Sequence, residues 1–324
     1  MRCNEYLAFA FLASTVTFAV GAEPKLGFKP AGEGLFEFDT GCLKGRLKVD
    51  GKYQGLYPLL DSASDMQLVH PPGVFSFYRV LTTNGRYGNA ARDWPTTVRL
   101  RADGAVEVQW PSAEEHPVEM TGIYRWTAPG TLDLDISATP KRDMPRFELF
   151  LSSYFTRPFL ASVYLKDEPG SGKSARFVPV NRTASARGRY VMFPRDEAAI
   201  AMIRDGRWKI PPNPVDWDIE RWLAAPIAIR RDRSSGIAAV MMSRPEDCFA
   251  VASPWNPATP DERCYRSLYL CLFGRDVRAG QTVRTSCRLI LARDVTDRQA
   301  LEFYEAYLKA SAKPRPNSSS AAGR

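Results

Sequence analysis

Short runs in which apolar and polar residues alternate recur along most of this chain. Clear examples are Leu43–Val49, Val106–Trp110 and Leu132–Ile136. Successive side chains of a β-strand point to opposite faces, so this period of two is typical of strands with one buried and one solvent-facing side. Gly, Pro, Asn and Asp separate the runs and supply tight reversals, as at Asp50-Gly51 and Asp103-Gly104. The pattern predicts an all-β protein, namely a large antiparallel β-sandwich.

The period changes near the end of the chain. Thr296 and Gln299 are spaced as a capping box, and apolar residues from Ala300 to Leu308 then recur at helical spacing. We therefore predict a single C-terminal α-helix that packs on the β-sandwich. A second, short helix is predicted over Asp196–Arg204, and the polar, Gly/Ser-rich stretch from Lys166 to Ala186 is predicted to be a long loop.

These patterns divide the chain into five parts. We expect a leader at residues 1–22, a lead-in at 23–33, the β-sandwich at 34–293, the C-terminal helix at 294–312 and a disordered tail at 313–324.

Residues 1–22 have the form of a cleavable secretory leader. Arg2 supplies positive charge, Leu7–Val20 is apolar, and the small residues Gly21 and Ala22 precede Glu23. The alternative is an uncleaved anchor, but the apolar run is short for a membrane span. We expect a secreted or periplasmic protein with no membrane segment after removal of the leader.

Five cysteines follow the leader, and an odd number cannot all pair within one chain. Cys248 and Cys264 flank a Pro-rich loop, and two interpretations stay open for them: a disulfide across that loop, or free thiols. Cys271 and Cys287 lie in predicted strands and favour buried free thiols, whereas Cys42 gives no signal. There is no CxxC motif or Cys/His cluster. The sequence thus predicts neither a metal site nor a cofactor.

The chain carries a formal net charge of +8, and its basic residues are scattered. Scattered positive charge is typical of a solvated surface. The functional alternative is that the charge attracts a polyanion. No nucleic-acid recognition motif is present, and the leader also argues against a nucleic-acid partner. The expected partner is a carbohydrate, in particular an acidic polysaccharide.

Two groups of aromatic and charged residues are the candidate ligand-binding residues. Indole and phenol rings stack on sugar faces, and carboxylates and guanidiniums bond sugar hydroxyls. The alternative for both groups is structural, with the rings in the core and the charges in solvent. The first group follows the Pro-rich stretch 211–214 and contains Asp216, Trp217, Asp218, Glu220 and Trp222. The second group surrounds a Gly/Asn loop and contains Tyr78, Arg79, Arg86, Tyr87, Arg92 and Trp94.

No catalytic residue is assigned from the sequence. The common hydrolase and nucleotide-binding signatures are absent, and His70 and His116 each adjoin a proline, which favours ordinary loop residues. Carbohydrate binding is the preferred function. One alternative is a polysaccharide lyase that uses Tyr78, Tyr87 and Arg86, or a glycoside hydrolase that uses the carboxylates. The other is a non-catalytic envelope or structural protein.

The order of features resembles the galactose-mutarotase-like β-supersandwich of aldose epimerases and several polysaccharide-processing proteins. The resemblance rests on early hairpins with Gly45, Gly51 and Gly55, on the strands of Tyr124–Ile136, and on an apolar strand that leads into Ser153-Tyr154-Phe155. It implies the fold and a carbohydrate-related role. The chain also resembles exported bacterial proteins, which implies a compartment.

One departure bears on activity. In the epimerases, the last of these segments resembles a HxYF motif whose His is a catalytic acid. Ser152 and Ser153 occupy that region here, and neither His70 nor His116 lies in a matching motif. The resemblance therefore does not extend to epimerase chemistry.

Overall fold

Strands account for most of the regular structure in the computed structural model, which describes residues 26–156, 160–167, 174–180, 190–220, 222–254 and 267–312. The strands in the first half of the chain are β1 (Lys29–Pro30), β2 (Leu35–Asp39), β3 (Leu43–Lys48), β4 (Gly55–Asp61), β5 (Ser76–Thr82), β6 (Gly85–Tyr87), β7 (Thr97–Leu100), β8 (Val106–Trp110), β9 (Val118–Ala128), β10 (Thr131–Pro140), β11 (Met144–Tyr154) and β12 (Leu160–Leu165). The remaining elements are β13 (Arg176–Pro179), β14 (Tyr190–Pro194), α1 (Glu197–Ile203), β15 (Trp217–Ile219), β16 (Leu223–Arg231), β17 (Ile237–Ser243), β18 (Cys248–Ala252), β19 (Ser267–Val277), β20 (Val283–Arg293) and α2 (Asp297–Ser311).

The strands form three sheets. A four-stranded sheet has the order β1-β2-β3-β4, a nine-stranded sheet has the order β13-β12-β16-β17-β20-β10-β9-β8-β7, and a seven-stranded sheet has the order β15-β14-β18-β19-β11-β5-β6. The pairing is antiparallel except between β14 and β15. The predicted all-β sandwich with a C-terminal helix is confirmed.

The sheets enclose one large core. The outer faces of the seven-stranded and nine-stranded sheets are also covered, each by a separate cluster of buried residues. Strand β17 shows how this works: Ile237, Ala239 and Met241 point into the main core, while the alternate residues Val240 and Met242 join a separate cluster under α2. Six of its seven residues are apolar because both of its faces are buried. The layers are therefore α2, the nine-stranded sheet, the core, the seven-stranded sheet and a further covering segment.

Both predicted helices are present. Asp196 caps α1 by accepting a hydrogen bond from the Ala199 amide at 2.9 Å. Thr296 and Gln299 form the predicted capping box of α2. No helix within the described ranges is long and apolar enough to cross a bilayer.

The prediction of a long loop from Lys166 to Ala186 is partly wrong. Strand β13 lies within it and pairs with β12, so that Phe177 opposes Tyr164. Only one residue of this strand is deeply buried, so its sequence lacks the alternation that marks longer strands. The predicted leader and tail lie outside the described residues, and the described part of the lead-in contains β1.

Candidate functional site

The outer face of the seven-stranded sheet carries the candidate site. Alternate residues of β11 and β19 turn Phe150, Tyr154 and Tyr269 away from the main core into a second aromatic cluster. Helix α1 and the residues that follow it lie over this cluster, and Trp208 packs edge-on against Phe150 at 4.8 Å between ring centroids. We refer to residues 204–216 as the strap.

A buried ion pair holds the strap to the sheet. Arg207 Nη1 donates to Glu148 Oε2 at 2.9 Å, and Arg207 Nη2 pairs with Asp205 at 2.8 Å. Both Glu148 and Arg207 are fully buried. Burial raises the pKa of the Glu148 carboxyl, although the Arg207 charge acts in the opposite direction. Such a pair fixes geometry, because removing one partner leaves a buried charge uncompensated.

A bulge in β5 aims two consecutive side chains at the strap. Arg79 opposes Phe150, but the next register partner of β11, Leu151, opposes Phe77, so Tyr78 is the extra residue. A bulge interrupts the normal alternation. Tyr78 and Arg79 consequently both contact the outer aromatic cluster, which a regular strand would not allow.

Three guanidiniums meet on this face. Arg79 Nη2 donates to the Asn213 carbonyl of the strap at 2.6 Å, and its guanidinium lies 4.9 Å from the Trp208 ring centre. Arg86 donates to the strap carbonyls of Ile210 and Pro212. Burial, followed by the charge of Arg79, lowers the pKa of Arg86 to about 10. The two guanidiniums therefore repel each other across a partly desolvated site.

Arg92 is the third guanidinium, and tyrosines surround it. Its Nη1 donates to the Tyr154 hydroxyl at 3.2 Å, and its guanidinium lies 4.5 Å from the Tyr78 ring centre and 5.6 Å from that of Tyr53. Burial lowers the pKa of Arg92, but the Tyr154 and Tyr78 oxygens and Asp93 outweigh it and raise the pKa overall. The Arg92 charge is thus retained although the residue is only 9% exposed.

The turn that carries Arg92 is fixed from behind. The turn is a short 3-10 helix at Ala91–Asp93, and Gln54 bonds it twice. The backbone amide of Gln54 donates to the Arg92 carbonyl at 3.0 Å, and Gln54 Nε2 donates to the Trp94 carbonyl at 2.7 Å. Trp110 Nε1 in turn donates to Gln54 Oε1 at 2.8 Å. Arg92 is therefore preorganised before any ligand arrives.

We call Tyr78, Arg79, Arg86, Arg92 and Tyr154 the arginine–tyrosine patch. In the described part of the chain, none of its three guanidiniums has a carboxylate within salt-bridge distance, and each keeps at least one buried N–H without an acceptor. In the patch and the tryptophans beside it, the buried donors without an acceptor are Arg79 Nε and Nη1, Arg86 Nε, Arg92 Nε, and the indole nitrogens of Trp208 and Trp217. A group rich in acceptor atoms and negative charge would complement this surplus.

The two predicted groups converge only in part. Trp217 packs on Trp208 at 5.1 Å between ring centroids and reaches the patch through it. Asp218 and Glu220 lie beside Trp217 on edge strand β15 or just after it, and both are partly buried. Asp216 is exposed and pairs with Lys209.

The remaining predicted residues lie elsewhere. Trp94 is in the main core with its ring stacked on His116 at 3.8 Å, so it does not share the outer face. Tyr87 opposes Val80 and packs against the same core, on the opposite face of β6 from Arg86. Trp222 is exposed near Lys166, just before β16 of the nine-stranded sheet.

Sequence reasoning missed several residues of the site. Tyr154, Trp208 and Tyr269 were not among the candidate ligand-binding residues, although they form the centre of the outer cluster. Tyr154 follows the apolar strand named in the family resemblance, which was the available signal. His70, predicted to be an ordinary loop residue, lies outside the strands and helices, and its ring centroid is 6.1 Å from that of Tyr154.

Two other features of the described structure give little indication of a functional site. A surface groove of about 550 Å³ lies on the four-stranded sheet, and three basic and two acidic residues line it, which leaves little excess charge: Lys29, Lys44, Arg46, Glu37 and Asp39. No three His, Cys, Asp or Glu side chains among the described residues are grouped so as to hold a metal ion.

The cysteines in the described residues are free. Cys42 is exposed, while Cys248, Cys271 and Cys287 are buried. Cys264, the partner considered for Cys248, lies outside the described residues.

Comparison with known proteins shows the fold. The chain is similar to the Slr1438 protein from Synechocystis sp. PCC 6803, with 10% identity over 86% of this chain and 100% of that chain, at a TM-score of 0.51. It is also similar to a quadruple mutant of alpha-N-acetylgalactosaminidase NagBb from Bifidobacterium bifidum, with 11% identity over 86% of this chain but only 39% of that protein, at a TM-score of 0.51. A GalM/aldose epimerase homologue from C. elegans matches 83% of this chain and 99% of its own at 11% identity, with a TM-score of 0.47.

The two matches with a TM-score of 0.51 show a similar fold. No protein-family model matches the chain, and no curated protein matches it significantly. At these identities, shared architecture does not transfer an activity.

Proposed function

We propose that this chain is an exported protein that binds an acidic carbohydrate at the arginine–tyrosine patch. The observation that carries the proposal is the meeting of Arg79, Arg86 and Arg92 on one face, each with a buried N–H that lacks an acceptor. Export rests on the leader-like residues 1–22.

Charge supports an acidic ligand over a neutral one. Desolvated positive charges are costly unless an anion compensates them. Arg79 is 1% exposed and Arg92 is 9% exposed, yet neither has a carboxylate partner in the described residues. A carboxylate or sulfate on a sugar would accept several of their N–H groups at once, in the forked geometry that guanidinium favours.

The aromatic rings support a sugar as the carrier of that anionic group. Tyr53 is 54% exposed and Tyr78 is partly exposed beside Arg92, so flat ring faces border the guanidiniums. Flat rings next to polar forks suit pyranose rings, which have apolar faces and polar edges. The fold shared with a protein named as an alpha-N-acetylgalactosaminidase agrees with a carbohydrate ligand by analogy.

Affinity electrophoresis tests the proposal. The protein would be run through gels that contain polygalacturonate, alginate or heparin, with dextran as the neutral reference. Retardation by at least one acidic polymer and none by dextran is the expected result. Failure of every acidic polymer to retard the protein would overturn the proposal.

Substitution of Arg92 locates the binding. Arg92→Gln removes a charge-assisted interaction worth about 1.5–3 kcal/mol, so the dissociation constant should rise about 10-fold to 100-fold. Arg284→Gln is the matched control, because Arg284 is exposed on β20 and distant from the patch in the sheet order. Equal weakening by both substitutions would show that general surface charge binds the polymer.

A further inference from the structure

We propose that the arginine–tyrosine patch is a lyase site, in which the Tyr154 oxygen removes the proton next to the carboxylate of a uronic acid residue and a glycosidic bond breaks by β-elimination. This inference rests on the proposed function for its ligand, and it adds a reaction to it.

The first support is the position of the Tyr154 hydroxyl. It accepts a hydrogen bond from Arg92 Nη1 at 3.2 Å, and a guanidinium donor stabilises negative charge on the oxygen that it contacts. The Tyr154 ring also meets that of Tyr269 edge-on at 6.0 Å. Burial raises the pKa of the Tyr269 hydroxyl well above its usual value, so Tyr269 stays neutral. Of these two phenols, Tyr154 is the one that contacts a cation.

The second support is the supply of positive charge for the substrate. A proton on the carbon next to a carboxylate is weakly acidic because its removal places further negative charge beside the anion. Hydrogen bonds from guanidiniums neutralise the carboxylate and stabilise the enolate that forms. Arg92 Nε and Arg79 Nε and Nη1 are the buried donors without an acceptor that would take this role.

The reaction balances without a cofactor or an oxidant. The Tyr154 oxygen takes the proton from C5, and the C5–H electron pair becomes the C4–C5 double bond. The C4–O4 bond breaks and its electron pair leaves with O4. In the same step the hydroxyl proton of Tyr154 passes to O4, so Tyr154 ends the reaction with one hydroxyl proton, as it began. One uronate-containing chain becomes two, one of which ends in an unsaturated sugar.

The described residues favour this chemistry over hydrolysis at the patch. Glycoside hydrolysis uses two carboxyl groups that flank the bond. Glu148, the carboxylate on the same face of β11, is already paired with Arg207 at 2.9 Å. Epimerase chemistry lacks its acid as well, since Ser152 takes the place of the motif His and its hydroxyl donates to the Ser76 carbonyl at 2.8 Å.

His70 is a second group beside Tyr154, with 6.1 Å between the two ring centroids. Its backbone amide donates to the Tyr154 carbonyl at 3.2 Å, and its buried Nε2 has no hydrogen-bond partner. We assign His70 to positioning of the sugar hydroxyls beside Tyr154, because its ring lies next to the Tyr154 ring rather than against a carboxylate.

The experiment separates binding from chemistry. The full chain would be incubated with polygalacturonate, alginate and heparin while the ultraviolet absorbance of unsaturated ends is followed, and the same polymers would be used in affinity gels. Absorbance should rise with at least one polymer that binds. Binding without any rise would overturn the lyase and leave the proposed function standing, whereas absence of binding would overturn both.

Two tyrosine substitutions assign the residue. Tyr154→Phe removes only the hydroxyl, and loss of the proton-transfer group should lower the rate by about 100-fold or more. Retardation in the gel should fall by a much smaller factor, because the guanidiniums of Arg79, Arg86 and Arg92 remain to hold the polymer. Tyr164→Phe is the matched control, since Tyr164 packs on Phe177 at 5.1 Å in a different sheet. A Tyr154→Phe protein that keeps its rate, or that loses binding in parallel with it, would overturn the assignment to Tyr154.

Discussion

The environment of Arg86 shows that the arginine–tyrosine patch has an excess of positive charge. Its guanidinium bonds strap carbonyls and Asn89, but no carboxylate among the described residues pairs with it. Burial and the nearby Arg79 charge therefore bring its pKa down to about 10. A depressed pKa for a cationic group means that the folded site disfavours the charged form, and a bound anion would reverse that preference.

Binding of an acidic polymer should therefore weaken as the pH rises through about 10, where Arg86 loses its proton. The measurement is the dissociation constant between pH 7 and pH 11, by calorimetry on a polymer that retards the protein. Lysines titrate in the same range, so Arg86→Gln is the necessary comparison. The variant should bind more weakly at pH 7 and lose less affinity across this interval; an unchanged profile would contradict the role given to Arg86.

At the residue scale, the sequence identified the right types of residue better than their positions. Arg86 and Tyr87 are neighbours in β6, so alternation sends one to the outer face and the other to the core. Which residue goes where depends on the pairing register, and composition does not reveal it. Tyr78 and Arg79 share a face only because of the β5 bulge, which left no recognisable signal in the sequence.

The strap is the element that closes the outer face, and one ion pair anchors it. Glu148→Ala would leave Arg207 fully buried and bonded to Asp205 alone. Loss of one partner of a buried pair costs about 3–5 kcal/mol, so the free energy of unfolding from urea titration should fall by that amount. Binding of the acidic polymer should also weaken, since Arg79 and Arg86 donate to strap carbonyls.

The matched control is Glu246→Ala, which removes an exposed carboxylate paired with Arg244. Surface pairs contribute about 0–1 kcal/mol, so this variant should unfold almost as the parent does. Equal losses in the two variants would mean that the Glu148–Arg207 pair does not anchor the strap.

Elements with strong sequence patterns were predictable, and short strands without such a pattern were not. Helix α2 was predicted because Thr296 and Gln299 have the spacing of a capping box and the following apolar residues recur at helical spacing. Strand β15 has three half-buried residues and pairs in parallel with β14, so nothing local marks it as a strand. The strap was recognisable only as a Pro-rich loop, because its place over the sheet depends on contacts with Glu148, far away in the chain.

At the scale of the whole molecule, the alternation of apolar and polar residues predicted the all-β architecture, but it did not predict where the positive charge lies. The net charge of +8 suggested attraction to a polyanion without indicating where. Many of the basic residues turn out to be paired in the described structure, such as Arg288 with Asp133 and Arg125 with Asp103. The sheet pairing leaves three guanidiniums unpaired with acids on one face, and that asymmetry needs the tertiary structure.

Salt concentration separates the two sources of attraction. Screening reduces the Debye length from about 10 Å at 0.1 M to about 3 Å at 1 M, which suppresses long-range attraction to the net charge but leaves buried contacts largely intact. Affinity for an acidic polymer should fall with salt and then reach a plateau that reflects the patch. Arg92→Gln should lower the plateau, whereas Arg284→Gln should change only the slope, because Arg284 is exposed and Arg92 is buried among tyrosines. Affinity that vanishes entirely at 1 M salt would place the binding on diffuse surface charge and contradict a preorganised site.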